Sequence, residues 1–208
     1  MKNTLFLISN EKIFQNNEMF FCDNLDMKST PEGLNKHFDV KIIARKSKVN
    51  RLQKLNLRTI KTFSNILSYM LEIIKSSKHN NSQFLIISLN PFTFLAGIVL
   101  ILLGRKPYLY LRSNGYDEYK IILGFLGKFI YHLMFTIITR FSILISCREY
   151  ILMGKKGHII SPSQLDSSWH QNHVKPSIKE IRLIYVGRIK KEKGIFSLLN
   201  LIKEKSKI

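Results

Sequence analysis

Apolar residues in this chain fall into two patterns. Short unbroken runs bounded by turn residues recur at Thr4 to Ser9, Val40 to Ala44, Phe84 to Leu89, Tyr108 to Arg112, Ser142 to Ser146 and Leu183 to Val186. Runs of this kind read as strands buried on both faces. Between them lie segments of helical character. Ile60, Phe63, Ile66, Leu67, Met70, Leu71 and Ile74 mark one face of a helix expected from Thr59 to Ser76, packed on a sheet. Ser29-Thr-Pro-Glu32 predicts the start of a short helix, with a hydroxyl cap and Pro in the first turn. Glu118 to about Ile138 reads as a long apolar helix, buried or lying against lipid, with Lys128 reaching outward and His132 in a structural role. Arg148 to Met153 reads as a short helix and His158 to Ser161 as a further short strand. Strands alternating with helices predict an α/β fold: a Rossmann-like parallel sheet flanked by helices.

One stretch admits two structures. Gln83 to Gly104 carries no charge and is about long enough to cross a bilayer. It divides at Asn90-Pro91, and Pro disfavours helical geometry in the residue before it. Strand, turn and helix (Phe84 to Leu89, then Phe92 to Leu103) is therefore the reading with less strain. A small integral membrane protein is the competing one.

Composition narrows the partners. With 208 residues, 45% of them hydrophobic, the chain has material for a real core. Its 33 Lys and Arg against 14 Asp and Glu give a net charge of +19, which calls for a polyanionic partner. The cations are spread among apolar runs, without an arginine-rich arm, a zinc-knuckle spacing or an aromatic RNA-binding signature. An anionic membrane surface is expected, and no nucleic acid. Cys22 and Cys147 are too isolated for a disulfide framework or thiolate metal site, so a reducing cytoplasm fits. The apolar run at Leu5 to Ile8 is too short for a signal-peptide core.

The densest chemistry lies near the end. After the strand Leu183 to Val186, Gly187 breaks the pattern, and Arg188 and Lys193 follow before Gly194 opens a helix with Ile195, Leu198, Leu199 and Ile202 on one face. Ligands of open α/β sheets bind beyond the carboxyl ends of strands, and a guanidinium with a nearby ammonium makes an anion seat there, suited to a diphosphate. The same residues also suit an ordinary βα unit with two solvated cations.

Written as Tyr-Val-Gly-Arg-x4-Lys-Gly, residues 185–194 resemble the start of the second domain in family 4 glycosyltransferases of the GT-B fold. Leu34 to Arg45 resembles that family's second strand and its approach, and Ser161-Pro-Ser-Gln-Leu-Asp166 matches its crossing between domains. The resemblance implies an acceptor-side Rossmann-like domain at 1–174, with 175–208 as linker and the start of a nucleotide-sugar donor domain. It implies a donor-diphosphate site at Gly187, Arg188 and Lys193, with no cofactor and no obligatory metal. It implies a retaining transfer of a sugar from a nucleotide-sugar donor to a glycan or lipid-linked acceptor, or a surface polysaccharide, peripherally on the inner face of the cell membrane. The family's pair of donor-domain glutamates does not occur before the sequence stops, so the expectation is a chain inactive alone or dependent on a separate chain for the donor domain.

On the acceptor side the polar candidates are Asn24 and Asp26, which either contact substrate or cap a helix, and Arg112, Asn114 and Asp117 in the loop after the Tyr108 strand. The family's histidine in that loop and its early glycine-rich loop are both missing here, and the catalytic residue is not assigned. His170 and His173 have helix-compatible spacing but no third ligand nearby. The alternative to an enzyme is a noncatalytic peripheral membrane-binding protein that uses the same basic and apolar surface.

Overall fold

The structure, a computed structural model, describes residues 2–161, 185 and 194–205. The chain divides into two compact units, Met1–Gln164 and Leu165–Ile208. The first unit is an α/β domain around an open, mixed sheet of nine strands among the described residues.

Seven strands form the parallel body: β1 (Thr4–Asn16), β3 (Asp39–Lys46), β5 (Thr59–Phe63), β6 (Ser82–Ile87), β7 (Tyr108–Leu111), β8 (Ile143–Ser146) and β9 (His158–Ile159). β3 and then β5 lie on one side of β1, while β6, β7, β8 and β9 follow in order on the other. Strand order therefore reverses at β1, the switch point at which such sheets open a crevice at their carboxyl edge. β2 (Met19–Cys22) and β4 (Gln53–Leu55) extend the far end of β1 as an antiparallel flap.

Helices α2 (Ile66–Ser77), α3 (Pro91–Leu102) and α4 (Gly115–Thr139) cover one face. There Phe6, Ile8, Ile86 and Leu109 meet Tyr69, Ile73, Leu100 and Ile138. α1 (Leu25–Leu34) and the flap cover the other, where Leu7, Ile42 and Ile87 meet Met27, Cys22 and Leu55. Alternate residues of β1 feed the two cores, as the pleat requires. In the second unit α5 (Ile195–Lys205) begins after Gly194, whose φ of 72° is the left-handed region that glycine tolerates.

Several elements depart from the sequence expectations. β1 runs on to Asn16, well past Ser9, because its continuation keeps pairing with β3 at Lys12 and Ile13 and then pairs with β2 from Phe14, with Ile13 the one residue of it buried in the core. α1 starts at Leu25, not near Ser29: Asn24 accepts from the Asp26 amide at 3.1 Å, and Pro31 sits inside the helix. Residues 59–63 form β5, not the first turn of a helix. Thr-Ile-Lys-Thr-Phe is rich in β-branched and aromatic residues and adds to the edge of β3. The buried face of α2 accordingly centres on Tyr69 and Ile73, leaving Leu67 and Leu71 at 74% and 66% exposure. Gln83 to Gly104 is strand, turn and helix: β6 is buried, and Asn90 closes a capping box with Thr93 at the start of α3.

Candidate functional site

At the carboxyl edge of β1 the ladder to β3 is interrupted. Ile8 pairs with Ile43 and Lys12 with Arg45, so β1 advances four residues while β3 advances two. The surplus around Ser9, Asn10 and Glu11 bulges out of the sheet, a device that re-aims side chains beside sites. The bulge is held in place. The buried Tyr69 hydroxyl donates to the Ser9 carbonyl at 3.0 Å, the Ser9 hydroxyl accepts from the Glu11 amide at 3.1 Å, and Arg45 reaches the Asn10 side-chain oxygen at 3.4 Å. Arg45 in turn lies 4.4 Å from the Phe92 ring centroid.

Beside the bulge, β6 is followed by Ser88, which takes a positive φ of 61°. That conformation is costly for a residue with a side chain and concentrates at functional positions. It is sustained by two bonds: the Ser88 amide donates to the Tyr110 carbonyl at 2.9 Å, and the Thr93 hydroxyl donates to the Ser88 carbonyl at 2.8 Å.

Between these strand ends and the start of α1 lies a cavity of about 180 Å³, lined by residues including Ser9, Glu11, Asn24, Ser88, Asn90 and Arg112. Two ion pairs stand in and beside it. Arg112, from the end of β7, binds the Asp26 carboxylate, and Arg51 binds Asp23. Glu11 faces the cavity with Arg112 and feels the charge of both arginines. Burial pushes its carboxyl above the ordinary value, against the opposing pull of Arg51, while Asp23 pushes it further up and Arg112 draws it down. A half-buried carboxyl with a raised pKa can exchange a proton with a hydroxyl, and the surrounding amide and hydroxyl groups can bind a polyhydroxy ligand.

Three of the five acceptor-side candidates from the sequence thus meet here: Asn24 and Arg112 line the cavity, and Asp26 holds Arg112. Asn24 also caps α1, so both roles considered for it coexist. Asn114 and Asp117 are engaged elsewhere. The Asn114 side-chain oxygen accepts from the Tyr116 amide at 3.1 Å at the start of α4, and its amide donates to Asp117 at 2.6 Å. A narrower cleft beside this pair, about 20 Å³, joins Arg112 and Ser88 to Gly115, Glu118 and Tyr131. His132 shares a hydrogen bond of 2.9 Å with the Tyr116 hydroxyl, a packing role.

Sequence reasoning missed Ser9, Glu11, Ser88 and Asn90. The signal available was that all four sit at, or within two residues of, the carboxyl ends of apolar runs, where ligands of α/β sheets bind. Gly187, Arg188 and Lys193, the donor-diphosphate candidates, lie outside the described residues, as do His170 and His173. Among the described residues no three His, Cys, Asp or Glu side chains gather to hold a metal.

No family model, curated protein or solved structure matches this chain.

Proposed function

We propose that this chain is the acceptor-side part of a GT-B glycosyltransferase resembling family 4, using a nucleotide-sugar to glycosylate a lipid-linked or surface-polysaccharide acceptor at the inner face of the cell membrane. One observation carries the reading. The polar cavity lies at the switch point of a Rossmann-like sheet, where the resemblance expects the acceptor, and it is built from Glu11, Asn24 and Arg112 with room for part of a sugar ring. Glu11 and Arg112 are the groups that would meet an acceptor hydroxyl. Arg188 and Lys193 would neutralise the departing diphosphate, and such electrostatic stabilisation is a large part of catalysis in sugar transfer. A metal is not needed in this scheme.

Saturation-transfer NMR of the full chain with a panel of short oligosaccharides tests it. Sugar-proton signals are expected with the wild type, reduced in Arg112→Lys and lost in Arg112→Ala. A folded wild type silent towards every glycan in the panel contradicts the acceptor role.

The second reading is a noncatalytic peripheral membrane protein. It is favoured by the exposed apolar surface of α4, and glycan silence combined with vesicle binding would select it.

A further inference from the structure

By length and composition α4, Gly115–Thr139, is able to cross a membrane. Its geometry is different. Gly124 takes φ 63° and ψ −145°, which no helix contains, and the chain doubles back there. Tyr116 and Tyr131 have ring centroids 4.9 Å apart, and Tyr119 and Tyr131 5.3 Å. The Tyr116 hydroxyl reaches His132, at a separation that would be about 24 Å in a straight helix. A Cβ on Gly127 would fall 2.1 Å from the Tyr119 carbonyl oxygen, so glycine is what lets the two arms touch. α4 is an antiparallel helical hairpin, each arm far too short to span a bilayer.

The hairpin is rooted at the sheet's carboxyl edge, where Gly115 and Tyr131 line the cleft beside Arg112. Its tip is apolar and uncovered: Ile121 is 84% exposed, Phe125 85% and Leu126 63%, with Ile122, Leu123 and Phe129 also exposed. An exposed apolar cluster of this kind marks a binding surface. Charge identifies its occupant. From Tyr119 to Arg148 the chain carries Lys120, Lys128, Arg140 and Arg148 and no carboxylate. Lys120 and Lys128, both exposed, stand one on each arm just behind the tip, at the level headgroups would occupy. Asp117 and Glu118 are further back, in the first turn, where the helix N-terminus favours acidic groups.

We propose that the apolar side chains of residues 121–129 insert into the interfacial layer of an anionic bilayer, as a monotopic hairpin about 5–10 Å deep with Lys120 and Lys128 on the phosphates. The cavity at the same edge of the sheet is thereby held near the membrane surface, within reach of a lipid-borne group. The inference does not rest on sugar transfer.

The test is flotation of the full chain with vesicles of phosphatidylcholine alone or mixed with phosphatidylglycerol, without nucleotide or sugar. The wild type is expected to float with the mixed vesicles. Ile122→Asp with Phe125→Asp should weaken partitioning at least about a hundredfold while leaving the circular dichroism unchanged. Lys120→Gln with Lys128→Gln should weaken binding to the mixed vesicles only. Phe125→Trp in a Trp169→Phe background should emit further to the blue on vesicles, quenched most strongly by bromines near the headgroup end of the acyl chain. A wild type that stays unbound, or a double-aspartate variant that floats as well as it, overturns the proposal. Strongest quenching from the chain terminus also overturns it, by showing deep insertion. So does a double-aspartate variant that breaks up an oligomer without changing flotation, since the tip would then join copies of the chain.

Discussion

Gly127 lies directly on the main chain of Tyr119, eight residues earlier in the chain, so closely that a methyl group on it would overlap the Tyr119 carbonyl oxygen. That contact turns an apparent membrane span into a two-armed projection, and it makes the arm packing testable. Gly127→Ala is expected to cost about 1–3 kcal/mol, since a group forced into backbone cannot be relieved by a rotamer change. Gly33, inside α1 with open space around its Cβ direction, is the control: Gly33→Ala should be neutral or stabilise by up to about 1 kcal/mol. Urea denaturation of both variants reads the difference.

The bulge at Ser9 depends on Tyr69, which is fully buried and bonded to the Ser9 carbonyl. Tyr69→Phe preserves the packing but leaves that carbonyl without this donor. A loss of about 1–2 kcal/mol in unfolding free energy is expected. Ligand binding in the cavity should weaken with it, because the bulge is what presents Glu11.

Glu11 gives the domain a pH dependence of definite sign. Burial raises its folded pKa above the ordinary 4.5, so the folded state favours the protonated carboxyl. Its contribution to stability is fully present below the unfolded pKa and is lost as pH rises through the raised folded value. Glu11→Gln should therefore unfold at higher urea than the wild type near neutral pH, with the gap closing below about pH 4. A gap that is constant with pH would show that Glu11 ionises in the fold as freely as in the unfolded chain.

The two thiols should differ. Cys22 is wholly buried, and burial pushes its pKa to about 11, assisted by the charge of Glu11 and opposed by a hydrogen bond with the Asn24 backbone. A thiol-disulfide reagent at pH 8 is expected to leave Cys22 unlabelled in the native chain and to reach both cysteines after denaturation. Rapid native labelling of Cys22 would mean that the flap of β2 and β4 opens readily.

The parallel body was legible in the sequence because β1, β3, β6, β7 and β8 are buried on both faces and so read as plain apolar runs. The edges were less so. β5 lies at the edge beside β3, and the tail of β1 buries only Ile13 among exposed and polar residues that pair with a flap, so neither carries a continuous core pattern of its own. The cavity was half legible for a related reason. Asn24, Asp26 and Arg112 stand out locally as polar groups in loop positions, whereas Glu11 acquires its environment only when β1 bulges towards Arg51 and Arg112. The hairpin was hidden by composition: Gly124 and Gly127 interrupt an apolar run that otherwise has the character of one helix, and the backbone at Gly124 with the contacts across it reveals the reversal.

Binding of a donor is the most direct measurement of the central claim, sugar transfer from a nucleotide-sugar. In calorimetric titration of the full chain with a panel of nucleotide-sugars, at least one donor should bind saturably, and Arg188→Ala should weaken it about tenfold or more through loss of a charge-assisted pair with the diphosphate. A folded wild type with no affinity for any nucleotide-sugar, while still floating with anionic vesicles, would contradict the transferase reading and leave a membrane-binding module.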